Sequence, residues 1–329
     1  MMLLKKALVL GATGGTGTVI IAELLKRGVH TVAFGRSMPK LEQLAADLGY
    51  PASLTLTTGD VFNSEDVYSA AQGVDVIFHS ASVPYNEMIT RLLPMGESVM
   101  EAANRLGTKV VAVDGIYPYG RRHNEQPIDE NYPKNPHTKK GKKKLEFERM
   151  FFSPRWNHTK RMIVRLPDYY GPTANDASYL GTTLASIAAG KPGAFVGTMT
   201  VPREYVYLPD AAVMIVELAS REEAYGQNWN IPGADVISGR DIVNIARKAS
   251  GTSKMVIPLG KPSLSLLGLF IPVMKEIVEM LYLTEEPLRL SGKKYERLVG
   301  PIPATPYEKG ITETIQAIKR RQGLVKAKS

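Results

Sequence analysis

Residues 5–20, KKALVLGATGGTGTVI, decide how this chain is read. The short apolar run at residues 7–10 reads as a buried strand, and a helical pattern opens at Thr16 and continues toward Arg27. Between them Gly11, Gly14, Gly15 and Gly17 crowd into one turn, with Thr13 and Thr16 interleaved as candidate phosphate-side residues. A strand that passes through a glycine turn into a helix N-terminus suits a pyrophosphate. Glycine lets the backbone turn tightly and come close, while the helix end offers unpaired N–H groups and a positive dipole. The spacing is G-x-x-G-G-x-G rather than G-x-G-x-x-G. A glycine turn alone can be only a turn; the strand before it and the alternation after it carry the argument.

Composition narrows the classes. With 329 residues, 44% of them hydrophobic and 22% charged, the chain has the make-up of an ordinary globular protein large enough for two lobes. The absence of cysteine excludes disulfides, thiol catalysis and cysteine-ligated metals, and suits the cytoplasm. Five scattered histidines offer no metal-ligand spacing, so no metal is expected. The start, MMLLKKALVLG, is too short an apolar run for a signal peptide and reads better as the first strand. The net charge of +9 is concentrated in KKGKKK at residues 139–144 and in the tail from residue 319 to 328. No nucleic-acid motif accompanies it, so a solvated basic surface or an anionic small ligand is expected rather than nucleic acid. In the apolar stretch 264–283, Pro272, Lys275, Glu276 and Glu279 interrupt any span of bilayer length. It reads as a helix or helix pair packed on a second lobe, with no membrane partner.

Taken in order, residues 31–34 (TVAF) form a second strand ending at Gly35-Arg36-Ser37. An acidic side chain there would bind an adenosine ribose diol. Gly35 and Arg36 instead leave room and positive charge for a 2′-phosphate, which favours NADP with NAD second; the alternative is an exposed surface arginine. A helix at 39–48 opens on a tolerated proline, and a third strand at 53–56 runs into Thr57-Thr58-Gly59-Asp60-Val61. Asp60 either accepts a hydrogen bond from adenine or starts the helix at 63–71 as a turn residue. The fourth strand, 74–78, ends in His79-Ser80-Ala81-Ser82. A helix at 86–106 leads to a fifth strand at 109–113.

This alternation predicts an α/β fold, a doubly wound parallel sheet of Rossmann type over residues 1–170. From Gly171 the rhythm changes. Short strands at 204–208, 228–231 and 255–257 and helices at 210–221, 239–250 and 307–321 read as a smaller lobe, 171–329. That lobe is interleaved with the last sheet strands and ends in a frayed tail, 322–329.

Together GATGGTG, GDVFNSEDV, VDVIFHSAS, RLPDYYGP and REYVYLPDAA resemble the extended short-chain dehydrogenase/reductases, the NAD-dependent epimerase/dehydratase group, over roughly residues 5–231. The resemblance implies a Rossmann domain with a C-terminal substrate lobe. Gly11, Gly14 and Gly17 would be the phosphate glycines, Asp60 with Val61 the adenine side, and Ser80-Ala81 the loop against the cofactor. Tyr170-Gly171-Pro172 would shape the nicotinamide pocket. Relatives often pair through helices flanking this site, which makes a homodimer the expectation.

Departures from the family pattern fall on its chemistry. That chemistry uses a serine after strand five and Tyr-x-x-x-Lys at the start of the next helix. Anchored on Tyr119-Gly120, the segment VVAVDGIYPYG puts Gly115 at the serine position. KGKKKLEFE, residues 140–148, fits Y-G-x-S-K-x-x-x-E, with Gly141, Lys144 and Glu148 matched and Lys140 in place of the tyrosine. Three readings stand. In a rebuilt site Lys140, or a tyrosine (Tyr117 first, Tyr169 second), supplies the proton, with Lys140 lowered by like charge from Lys144 and the nicotinamide cation. Alternatively the chain is an NADP(H)-binding redox sensor of the NmrA-like kind, acting through a partner. In the third reading the basic run is a solvated helix face and the alignment is shifted.

Arg203, Lys140 and Arg121 are candidate holders of an anionic substrate group. The expected function is an NAD(P)-dependent oxidoreductase or epimerase-like enzyme acting on a carbonyl or hydroxyl of a small substrate. A nucleotide sugar follows from family analogy alone.

Overall fold

The computed structural model describes residues 3–174 and 178–323, without the side chains of residues 272 and 273. The tail expected to fray lies, from residue 324, outside the described residues.

The first strand, β1 (Lys6–Leu10), sends Ala7 and Val9 into one core and Leu8 and Leu10 into another, so both faces of the sheet are covered from the outset. The glycine turn then leads into α1 (Gly15–Lys26). The alternation continues through β2 (His30–Gly35), α2 (Met38–Asp47), β3 (Leu54–Thr58), α3 (Ser64–Ala70), β4 (Val76–His79) and α4 (Met88–Leu106). It closes with β5 (Lys109–Gly115), α5 (Lys139–Phe151) and β6 (Arg161–Leu166).

The second half of the chain is less regular. It runs β7 (Asp168–Tyr170), α6 (Tyr179–Ala188), β8 (Gly193–Val196), β9 (Arg203–Tyr207) and α7 (Leu208–Ala219). Then come β10 (Asn228–Asn230), β11 (Val236–Ile237), α8 (Gly239–Ser250) and β12 (Val256–Leu259), and finally five helices. Those are α9 (Lys261–Leu267), α10 (Pro272–Met280), α11 (Tyr282–Glu285), α12 (Lys293–Leu298) and α13 (Tyr307–Arg321).

Seven parallel strands form the central sheet, in the order β10-β6-β5-β4-β1-β2-β3. The order reverses between β1 and β4. The connections leaving those strands therefore diverge and leave a crevice at their carboxyl ends, where open α/β sheets take ligands. Helices α1 and α7 pack together over one face, and α3, α4 and α5 cover the other. The expected α/β class and doubly wound parallel sheet are observed.

Beyond the main sheet, β9 pairs parallel with β7 and antiparallel with β11, while β8 and β12 make a separate parallel pair. Helices α6, α8 and α13 close a third core around Leu184, Ile242 and Ile315. The sequence reading places no element over residues 178–196, where α6 and β8 form. Gly181, Thr182 and Thr183 weaken helix propensity there, and the Ser178 hydroxyl compensates by accepting the Gly181 N–H at 3.2 Å. The apolar stretch 264–283 becomes α9, α10 and the start of α11, packed through Leu264, Ile277 and Leu281. No helix among the described residues is long and apolar enough to cross a membrane.

Candidate functional site

The glycine turn is shaped by close approach. Gly11 has φ +77°, and a Cβ on it would come 2.6 Å from the Ala81 Cα; one on Gly17 would come 2.2 Å from the Gly11 carbonyl oxygen. Both positions require glycine for the turn to lie on the connection that leaves β4. Gly15 abuts the backbone of Thr173, whose hydroxyl donates to the Gly15 carbonyl at 2.8 Å. Gly14 differs. A Cβ there would meet only the Gly11 carbonyl oxygen at 3.2 Å, and Gly14 caps α1 with no side chain answering the first-turn N–H groups. This open, N–H-lined face with the helix dipole behind it fits a phosphate. Thr13 is exposed and Thr16 half-buried beside it.

The flanking candidates sit on the same edge. The Ser80 hydroxyl donates to the Leu10 carbonyl at 2.7 Å, so it ties the Ser80-Ala81 loop to β1. Arg36, at the end of β2, is exposed and has no ion-pair partner among the described residues. Asp60 is exposed after β3; its Oδ1 accepts the Phe62 N–H at 3.0 Å, the turn-forming role, and the Val61 side chain beside it is half-buried.

A charged network anchors the middle of this edge. Lys144, one helical turn after Lys140, lies 2.6 Å from Asp114 Oδ1. Arg165, fully buried in β6, reaches Asp114 Oδ2 at 2.8 Å and Glu148 Oε2 at 2.6 Å. Glu148 also pairs with Lys134 and accepts from Asn228 Nδ2 at 2.7 Å. Burial works against the Asp114 charge, but Lys144 and Arg165 outweigh it and hold the carboxyl below its usual range.

His79, buried at the end of β4, is pushed down to about 4, first by burial and then by the Lys144 ammonium. Unfolded, it takes a proton near 6.5. Between these values only the unfolded chain binds that proton, so the His79 contribution to stability is lost as pH falls from about 6.5 toward 4, by roughly 3 kcal/mol in all. The His79→Leu variant is expected to unfold with a flatter dependence over this window in chemical denaturation. An unchanged slope would assign the acid lability to other groups.

Next to this network three tyrosines gather. Tyr179 and Tyr85 join through their hydroxyls at 3.0 Å, and Tyr117 lies close enough to both to couple with them electrostatically. The Tyr117 ring lies 3.9 Å from where a Cβ on Gly115 would be, so it borders the space Gly115 leaves. Burial raises the pKa of Tyr117, Tyr85 and Tyr179 and keeps all three protonated. The protein surroundings raise the Asp168 carboxyl, although 44% of its side chain is accessible. The buried Arg203 sits 3.7 Å from it, with Nε unpartnered among the described residues. Tyr169 is half-buried, and burial, then Asp168, raises its pKa.

Several expectations change. Lys140 is fully buried and pairs with Glu276 and, at 3.4 Å, with Glu279, while its ammonium lies 4.5 Å above the Tyr85 ring. Its nearest charges are carboxylates, so the argument from like charge lacks its geometry. Nor is the basic run merely a solvated face, since Lys140 and Lys144 at i and i+4 both turn inward. The Tyr170 ring is buried between Tyr207 and Tyr307, with centroids 5.3 and 5.7 Å away, and faces a core rather than the crevice. Arg121 forms a surface pair with Glu286 at 2.8 Å. The sequence reading missed Arg165, Tyr85, Tyr179 and Asp168. For Arg165 a signal existed: an arginine inside the buried run RMIVRL needs carboxylate partners.

The NAD dependent epimerase/dehydratase family matches residues 7–232 of this chain. The chain belongs to that family. A Bacillus subtilis (strain 168) protein described as an uncharacterized UDP-glucose epimerase, YtcB, is 23% identical over 267 residues, 75% of this chain and 82% of that protein. A 3-beta-hydroxysteroid dehydrogenase of Mycolicibacterium neoaurum is 35% identical over 80 residues, and the alignment spans 24% of this chain and only 20% of that protein. Among solved structures, UDP-glucuronic acid 4-epimerase from Bacillus cereus, in complex with UDP-glucuronic acid and NAD, superposes with TM-score 0.79 at 21% identity. That match covers 96% of this chain and 99% of that one. The Bordetella bronchiseptica enzyme WbmH, in complex with NAD+, superposes with TM-score 0.74 at 17% identity, covering 98% and 100%. At these identities the structural likeness establishes the family fold.

Proposed function

We propose that this family member is a nicotinamide-dinucleotide-dependent oxidoreductase or epimerase, preferring NADP(H), that acts on a carbonyl or hydroxyl of a small anionic substrate through a rebuilt proton-donor site. The observation that carries the reading is Lys144, aligned by Asp114 at the carboxyl edge of the sheet where β1 and β4 diverge. Gly14 and the first turn of α1 would hold the pyrophosphate, Arg36 a 2′-phosphate, and Lys144 the nicotinamide ribose. Bound there, the dinucleotide supplies hydride chemistry.

The chain's own part is positioning and proton supply. Tyr117, kept protonated by burial and bordering the space at Gly115, would donate to the substrate oxygen, with Tyr85 and Tyr179 extending the hydroxyl chain. Arg203 would hold an anionic group. Lys140, at the family's tyrosine position and closed off by Glu276, would order the tyrosine cluster. That absence of a hydroxyl acid on α5 also favours a second reading, a dinucleotide-binding redox sensor.

Denaturing purified protein and identifying the released nucleotide tests the cofactor half. Little retained nucleotide, with NADPH bound more tightly than NADH on add-back, is expected. Arg36→Asp should weaken NADPH binding by roughly 10- to 100-fold, the worth of a charge-assisted phosphate contact, and should favour NADH. Tightly retained NAD(H), or unchanged discrimination in the variant, overturns the NADP preference. Turnover of a carbonyl panel separates enzyme from sensor.

A further inference from the structure

Among the described side chains, the hairpin of α9 and α10 buries Leu264, Ile277 and Leu281 on its inner side. At its turn Leu266 is 63% exposed, Leu269 67%, Phe270 81% and Ile271 43%. Met255 and Ile257, beside and on β12, are also exposed. These make up six of the ten large apolar side chains exposed among the described residues, gathered in 17 consecutive positions. Residues 251–275 contain Lys254, Lys261 and Lys275 and no aspartate or glutamate. None of these three lysines has an ion-pair partner among the described residues, and all three are exposed. The Lys275 stem runs along the turn, its Cγ lying 2.8 Å from where a Cβ on Gly268 would be. The acids of α10, Glu276 and Glu279, are instead drawn to Lys140.

We propose that this hairpin is a peripheral membrane anchor whose apolar turn seats in the headgroup region of an anionic bilayer. Exposed apolar side chains flanked in the chain by lysines without ion-pair partners among the described residues match the chemistry of such a surface, where the rings and branched chains bury and the ammonium groups stay at the phosphate level. A second copy of the chain is the poorer occupant. It would bring lysine against lysine, on molecules that each carry a formal +9. The expectation of a helix pair packed on the second lobe thus describes the inner side of the hairpin only. Through Glu276 and Lys140 the same hairpin is tied to the tyrosine cluster, so α10 touches both. The proposal does not depend on the dinucleotide reading.

Co-sedimentation of the full chain with vesicles tests it. Binding is expected to phosphatidylcholine vesicles containing phosphatidylserine, to weaken with salt, and to be at least about tenfold weaker on phosphatidylcholine alone. The Leu269→Ser/Phe270→Ser variant, whose changes lie at exposed positions, should keep its circular dichroism and lose about tenfold or more in binding. In a second variant, Phe270→Trp, the indole emission should shift to the blue on vesicle addition. No binding to the anionic vesicles overturns the proposal. So does full binding by the double serine variant, or an oligomer in the wild type that the double variant abolishes.

Discussion

Exchanging Arg165 for methionine is expected to destabilise the fold by about 3–5 kcal/mol, read as a lower urea midpoint at an unchanged slope. Arg165 is fully buried and its guanidinium bridges Asp114 and Glu148, while also donating to the Gly115 carbonyl at 2.9 Å. Burial opposes its charge, but the two carboxylates outweigh that and raise its pKa. Methionine would fill much of the volume and leave both carboxylates short of a partner in a site from which water is excluded. Arg165→Lys should recover only part of the loss, because one ammonium cannot supply two forked contacts. A methionine variant as stable as the parent would mean that packing, not charge, holds β5 and β6 to α5. The Lys144 geometry would then need another source.

Replacing Lys144 by alanine should abolish measurable turnover, with a loss of at least roughly a hundredfold in kcat/KM, and should weaken dinucleotide binding in direct titration. The physical basis is the ion pair with Asp114, which aims the ammonium along the carboxyl edge of the sheet instead of letting it wander on a flexible stem. The substitution also removes one of the two cations that face Asp114, so a moderate stability loss should accompany the kinetic one. Lys142→Ala, an exposed neighbour on the same helix, controls for the loss of charge on α5 and should leave activity unaltered. Full activity in the Lys144 variant would show that this helix does not face the cofactor. It would remove the main support for the proposed function.

Much of this molecule is legible from local pattern. The run from Lys6 to Leu10 is too short for a helix, alternates between two cores and meets glycines whose close contacts admit nothing larger, so strand, turn and helix follow from neighbours in the chain. The same holds for β2 through β5, whose observed bounds differ from the expected ones by no more than two residues at each end. The second half reads less clearly. Strands such as β7 and β11 are two or three residues long and owe their conformation to pairing with β9. A two-residue strand has no periodicity to detect.

The site divides along the same line. Gly11, Gly14, Gly17, Arg36 and Lys144 could be picked out because each stands at a fixed offset from a strand or helix end, and chain geometry preserves such offsets. Lys140 could be picked out but not understood, because its answering charge, Glu276, is 136 residues away. Tyr85 and Tyr179 meet across 94 residues, and Arg165 meets Asp114 across 51.

What the sequence by itself determined is therefore the alternation of elements, the glycine turn and the family. Those depend on contacts within one strand, turn or helix. Only the tertiary structure decided which tyrosines gather, that Lys140 is sealed by carboxylates, and that the α9–α10 turn stays uncovered. Each of these depends on which distant segments the sheet order brings side by side. Charge and burial act through space rather than along the chain.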